Sequence, residues 1–525
     1  MLYPIGIESF EKLRSNGYTY VDKTDLIYRL VTTGTIYFLS RPRRFGKSLL
    51  LSTLKSYFSG QRDLFQGLAI EKLEQKWDKH IVLHVNFAGS DYRRLGALEE
   101  QLEDFLSHLE KAVGLTSSSS YEVRFKNIIN AAREKSGRGV VVLVDEYDKP
   151  FLDTFTSDVK DENGVSLEEH NKQILRAFYS VFKVADSSLK FVMLTGITKF
   201  SQVSVFSGLN NIEDISMNPA YDSLCGLTRD ELTSIFCEPI AELAEENDVS
   251  YEDMLAQLKK HYDGYHFSKK MTDIYNPFSL LSALKNKEID NYWFFTATPI
   301  YLIRLLNRNN LNIKEIVSGI YAAEEFAKYK ADSDKPLPML YQSGYLTIKG
   351  YDSKLKLYNL DIPNDEVCQG FLTLLLQDYL QVGQGTYDLA NKLTYFLRSN
   401  DLPSFFDYMK AFLASVPYTV RRKSNAKERE VYFQLTFYLI LRLITTYCIQ
   451  AEQITSQGRI DCLITTQTDV YIFEFKLDGS VTNALQQIEA KGYAQQFSTS
   501  GLAIHKVGVN FSSETGTIED WAEGK

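Results

Sequence analysis

Cysteine is scarce in this chain: Cys225, Cys237, Cys368, Cys448 and Cys462 are all there are among 525 residues, with no CxxC pair and no histidine nearby. That argues against a zinc ribbon or finger and suits a reducing compartment. A basic excess is also missing. The formal net charge is −9, so no global field draws the protein to nucleic acid. From Val416 to Lys525 there are 11 Lys/Arg against 12 Asp/Glu. Any polynucleotide contact there must come from a local patch such as RRKSNAKER, Arg421 to Arg429. The opening MLYPIGIESFEKLR lacks a basic segment followed by an apolar one, so no secretion signal is expected. The longest apolar helix candidate, Val431 to Ile449, contains Gln434 and Arg442 and reads as a buried helix rather than a membrane span. These absences predict a cytoplasmic protein.

What is present is the composition of an ordinary folded chain, 44% hydrophobic and 24% charged with 13% aromatics, long enough for about two to four domains. The most informative segment is RPRRFGKS, Arg41 to Ser48. It follows the apolar run Ile36 to Leu39 and opens a helical stretch, Leu49 to Phe58. Strand, tight loop and helix in that order form a phosphate cradle from backbone N–H groups and a helix N-terminus. Arg43, Arg44, Phe45, Gly46, Lys47, Ser48 and Leu49 are the expected nucleotide-binding residues, with Lys47 on the terminal phosphates and the Ser48 hydroxyl on Mg²⁺. One departure stands out: the pattern G-x-x-x-x-G-K-[ST] wants glycine at position 41, and this chain has arginine.

A second segment, GVVVLVDEYD from Gly139 to Asp148, is an apolar β-branched run ending in acids. It predicts a strand buried on both faces of a parallel sheet, with its ligand-facing end at the carboxylates. Asp145 is expected to hold Mg²⁺ through water, and Glu146 to polarise an attacking water. Further strands are predicted at 81–87 and 190–196, with helices at 93–113, 121–135 and 170–186 and a surface loop at 157–169. Alternating strands and helices mean a parallel α/β sheet. Thr195 or Thr198, with Lys199, falls where a γ-phosphate-sensing group would lie.

From about Asn218 the pattern turns helical. Around 339–360, LYQSGYLTI and KLKLYNL flank KGYDS, which reads as a β-hairpin turn, so a helical lid and a winged-helix-like module are expected. Helices follow from about 363 to 413. The domains are therefore expected at 1–217, 218–335, 336–415 and 416–525.

The last region holds GRIDCLITT (458–466) and VYIFEFKL (470–477). Period-two alternation puts Val470, Ile472, Glu474 and Lys476 on one face and Tyr471, Phe473 and Phe475 on the other. A Glu and a Lys on an otherwise apolar strand need partners, since burying them alone costs several kcal/mol. A short turn would pair this strand with the one bearing Asp461. Asp461 and Glu474 then suit one divalent metal, with the Phe475 carbonyl as a further oxygen, and Lys476 suits a hydrolytic water. Glu430, at the start of a long helix, and Gln487 with Lys491, on a predicted helix 481–497, are placed to join them.

These C-terminal residues resemble the PD-(D/E)XK nuclease superfamily, with Asp461 and Glu474-Phe475-Lys476 in the motif positions, Glu430 as the helix-borne acid and Gln487 as the trailing polar residue. YVDKT (20–24), RPRRFGKS, VDEYD and LTGITKFSQVSVFSGLNNI (194–212) are similar to the AAA-ATPase-like domain that precedes such nuclease domains in bacterial proteins. The resemblance implies an ASCE-type ATPase, with Glu146 as catalytic acid, joined to a Mg²⁺- or Mn²⁺-dependent phosphodiesterase acting on DNA ahead of RNA. YVDKT, with Phe10 before it, is expected near the adenine of ATP. The alternative is a nucleotide-gated switch, in which ATP drives homo-oligomerisation and the C-terminal domain is an effector or a binding module; the arginine at position 41 points that way. Whether another subunit supplies an arginine to the ATPase site stays open.

Overall fold

A computed structural model describes the chain except residues 117–118, 156, 200–210, 298–318, 328–335, 381–385, 416–439, 441–449, 452–453, 456–457, 460, 467, 499, 513 and 525. It divides into two compact units, Met1–Val367 and Cys368–Lys525.

In the first unit, β1 (Ile36–Ser40), β2 (Val82–Asn86), β3 (Val140–Asp145), β4 (Leu189–Gly196) and β5 (Glu213–Asp214) form a parallel sheet in the order β2-β3-β4-β1-β5. Strands β1 and β3 are buried along their whole length, as their unbroken apolar runs require of a sheet covered on both faces. The carboxyl ends of β1, β3 and β4 bring Ser40, Asp145 and Gly196 to one edge. The helices Ala97–Val113, Tyr121–Ser136 and Leu167–Val184 follow the expected order. The polar insert is shorter than predicted: Lys160 bridges Ser166, and Ser166 caps a helix that starts at Leu167. A serine three residues before a glutamate is a good N-cap, and that local signal outweighed the polarity of the segment.

The helical stretch contains Arg229–Ile235, Cys237–Glu246, Tyr251–Tyr262 and Pro277–Asn286. Thr228 and Glu231 close a capping box on the first, and Asn276 caps the last with Pro277 at its first position, where a missing N–H costs nothing. Tyr3, Ile5 and Val21 pack on this apolar cluster, which holds the N-terminal segment beside the Pro277–Asn286 helix.

The expected hairpin exists, with a different register. Residues 340–342 belong to the helix Leu337–Gln342, and 349–352 lie within β7 (Thr347–Asp352) rather than in a turn. The reversal comes after Asp352, whose carboxylate accepts the Lys354 and Leu355 N–H groups. Strand β8 (Leu357–Asp361) pairs with β7 on one side and β6 (Gly319–Ala322) on the other.

In the second unit, the helices Asp365–Leu380, Thr386–Arg398 and Leu402–Ser415 follow as expected, the first beginning just before the division. A mixed sheet runs β13-β12-β11-β10-β9, formed by β9 (Gln450–Ala451), β10 (Cys462–Thr465), β11 (Asp469–Leu477), β12 (Ala503–Ser512) and β13 (Thr517–Gly524). β11 pairs antiparallel with β10 and parallel with β12. The helix predicted over 481–497 is Val481–Ala490; Gly492 at φ 59° and a short 3₁₀ turn replace its last turns. It lies close on β12, where a Cβ at Gly508 would come within 2.9 Å of the Val481 carbonyl. The expected helix Val431–Ile449 and the basic patch 421–429 lie outside the described residues, apart from residue 440. Among the described residues, no helix is long and apolar enough to cross a membrane.

Candidate functional sites

The loop after β1 turns through Arg44 at φ 67° and Gly46 at φ 90° into the helix Lys47–Phe58. The second angle is one that glycine alone adopts cheaply. The Lys47 ammonium is turned back into its own loop and donates to the Arg41 carbonyl at 2.9 Å and the Pro42 carbonyl at 3.0 Å. Burial pushes its pKa down, and Asp145, Glu146 and Asp148 pull it back up.

Arg41, the departure from the glycine pattern, does not face the loop's cleft. Its guanidinium is buried, donating to the carbonyls of Ser40 (2.9 Å), Ser216 (2.8 Å) and Tyr221 (3.3 Å), and it lies 4.0 Å over the Phe267 ring. The residue is a clasp between the loop and the segment after β5. Phe45 is also interior, edge-on to Tyr265 and Phe267.

A cleft of about 380 Å³ opens in front of the loop, lined by Arg43, Arg44, Gly46, Lys47, Ser48 and Leu49 together with Glu146, Ile197, Phe278 and the segment Pro4–Glu8. Asp145 is buried at the end of β3 and accepts the Thr195 hydroxyl at 2.8 Å. Glu146 is partly buried at φ 50°; burial raises its pKa and the Lys47 charge opposes the rise. Asp148, quoted within VDEYD but given no role from sequence, is buried and accepts the Ile197 N–H (3.0 Å), the Thr198 N–H (2.6 Å) and the Thr198 hydroxyl (2.7 Å). It therefore joins the end of β3 to the segment after β4. Thr195 stands with the acids; Lys199 is instead ion-paired with Asp214, beside Arg41 in a separate small cavity.

A second, apolar pocket of about 110 Å³ adjoins the loop, lined by Tyr20, Val21, Lys23, Phe45, Leu49 and Cys225 among others. YVDKT thus reaches a pocket next to the loop after β1, while Phe10 is core, packed on Tyr20 and Phe65. Lys23 is fixed by Glu231 at 2.5 and 2.6 Å.

In the second unit the alternation of β11 holds. Val470 and Ile472 pack with Ile488 and Tyr493, while Tyr471 and Phe473 stack on the opposite face. Asp461, just before β10, accepts the Phe475 N–H at 2.9 Å. Glu474 is 1% exposed and sits close enough to Asp461 to be raised to about 7, burial being the larger cause and the Asp461 charge the second. Lys476 donates to Glu474 at 3.2 Å and to the side-chain amide oxygen of Gln487 at 2.7 Å. Four predicted residues, Asp461, Glu474, Lys476 and Gln487, therefore meet at one place. Lys491 caps the end of the helix, and Glu430 lies outside the described residues. Tyr493, missed from sequence, is buried beside Gln487 and Glu474.

The donor set fits a divalent cation. The second Glu474 oxygen is buried without a hydrogen-bond donor and stands next to the Asp461 carboxyl; the one ammonium bonded to Glu474, that of Lys476, leaves the two acids short of a positive charge, which is costly in a buried place. Among the described residues no group of three or more His, Cys, Asp or Glu gathers, so the carboxylate donors here are two.

Residues 4–206 match a family model described as predicted AAA-ATPase, and residues 428–521 match one described as PD-(D/E)XK nuclease superfamily. A protein of Azotobacter chroococcum mcd 1, described as an uncharacterized protein in the vnfD 5′ region, is 35% identical over 525 residues, spanning 98% of this chain and 97% of the relative.

Proposed function

The chain belongs to a family that joins a predicted AAA-ATPase domain to a PD-(D/E)XK nuclease-superfamily domain, and on that premise we propose that it hydrolyses ATP and uses its nucleotide state to govern a metal-dependent nuclease acting on DNA. The observation carrying this reading is the meeting of Asp461, Glu474, Lys476 and Gln487 around a buried carboxylate oxygen that lacks a partner.

In the first unit, Lys47 and the N–H groups of the loop would take the β- and γ-phosphates. Ser48 and Asp145 would hold Mg²⁺, and Glu146 would orient the attacking water. Thr195 keeps the Asp145 carboxylate aimed by donating to it. In the second unit, Asp461, Glu474 and the Phe475 carbonyl would hold Mg²⁺ or Mn²⁺, which supplies positive charge against the phosphodiester oxygens. Lys476, steadied by Gln487, would orient the water that attacks phosphorus.

The test is cleavage of supercoiled plasmid and single-stranded DNA, with RNA alongside, in Mg²⁺ or Mn²⁺ with and without ATP. Cleavage surviving in both Asp461→Ala and Glu474→Ala would remove the nuclease assignment. ATP turnover surviving Lys47→Ala would remove the phosphate-loop assignment.

One observation favours the second reading, a slow ATP-gated assembly: Lys47 must release two carbonyls of its own loop before it can grip phosphate. Light scattering with ATP, ADP and no nucleotide separates the readings, because an unchanged mass in all three states contradicts the switch.

A further inference from the structure

The phosphate loop contains three arginines, and they have three different fates. Arg41 is a buried clasp holding three backbone carbonyls. Arg44 is exposed and lies 4.8 Å from the centre of the Phe278 ring. Arg43 is half-buried on the wall of the cleft, beside Lys47, Ser48 and Glu146. Among the described residues its guanidinium has no ion pair, while its carbonyl is held at 3.0 Å by the indole N–H of Trp293. The side chain is therefore uncommitted on a backbone that is anchored.

We propose that Arg43 is the catalytic arginine of the ATPase site, supplied by the same chain and stabilising the charge that develops on the γ-phosphate during hydrolysis. The inference rests on the ATPase reading above and answers whether an arginine must come from a second subunit. Its position agrees with the shape of the site: Arg43 and Glu146 line the same cleft as Lys47 and Ser48. A guanidinium donates in a planar fork that matches phosphate oxygens, and an anchored backbone lets it act with little reorganisation.

The experiment is steady-state ATP hydrolysis by full-length wild type, Arg43→Ala, Arg43→Gln and Arg43→Lys, with binding of a fluorescent ATP analogue measured on each. The expected result is a kcat lower by about 10³-fold in Arg43→Ala and Arg43→Gln, with analogue binding kept. Arg43→Lys should recover only part of the rate. Mixing Arg43→Ala with Lys47→Ala should restore nothing, because no chain then has a complete site. Wild-type kcat in Arg43→Ala overturns the proposal, as does loss of analogue binding in all three variants or recovery on mixing, which would put the arginine in a neighbouring subunit. A wild-type protein with no ATP turnover would instead remove the ATPase reading itself.

Discussion

The two candidate sites, both proposed to meet phosphate, stand in opposite electrostatic states. In the first unit the central charge is a lysine, and it is satisfied: Lys47 donates to two carbonyls of its own loop. In the second unit the central charge is a carboxylate, and it is not: one Glu474 oxygen is buried without a partner and a second acid stands next to it. On the proposed reading, an incoming anion would open the first site by offering Lys47 a better acceptor than a carbonyl. The second is short of positive charge and invites a cation before any phosphate arrives. On the proposed reading, phosphate chemistry would begin with the anion in one unit and with the metal in the other.

Removing the central charges should break the comparison most strongly. Glu474→Ala and Asp461→Ala are each expected to lower plasmid cleavage on the order of 10³-fold or more, without changing ATP turnover. Lys47→Ala should cut ATP turnover by about 10² to 10³-fold; cleavage measured without ATP should be unaffected.

Restoring the glycine of the phosphate-loop pattern gives the next effect. Arg41→Gly removes the clasp and strands the carbonyls of Ser40, Ser216 and Tyr221, so it should destabilise the protein by on the order of 3 kcal/mol in urea unfolding. An unchanged midpoint would mean that the clasp contributes nothing.

Divalent metal sharpens the contrast between the units. Mn²⁺ at about 100 times its dissociation constant should stabilise the second unit by about 2.7 kcal/mol, read as a rise in its melting temperature. Glu474→Gln should abolish that rise, whereas Lys47→Ala should retain it.

The smallest expected effect concerns Glu366, buried and raised to about 8 chiefly by burial, where it accepts the Trp293 N–H and the Ser279 hydroxyl. A carboxyl whose folded pKa is raised adds stability at low pH that is lost as pH climbs through that value. Wild-type melting temperature should therefore fall by several degrees relative to Glu366→Gln, which cannot ionise, as pH climbs from the ordinary value of 4.5 to about 8, and level off above it. Parallel pH profiles for the two proteins would refute the raised pKa.

Much of this was legible before folding. The strand, loop and helix around RPRRFGKS, the acids ending GVVVLVDEYD and the shared face of Glu474 and Lys476 all follow from local periodicity, which the backbone enforces over a few residues. Element ends were less so: the helix expected to reach 497 stops at Ala490, where Gly492 was the available signal. The register of the hairpin was missed because Asp352 supplies a side-chain acceptor that reverses the chain after it, whereas the composition of KGYDS suggested a turn earlier.

Local pattern by itself determined which residues carry charge towards a strand end or a loop, because spacing along a strand or helix sets the face on which each side chain stands. Tertiary structure alone decided which of those charges are free. Arg41 is engaged by Ser216 and Tyr221, Lys199 by Asp214, and the Arg43 carbonyl by Trp293 some 250 residues away. Such pairings depend on what packing brings within hydrogen-bond reach, and no period in the sequence encodes that distance.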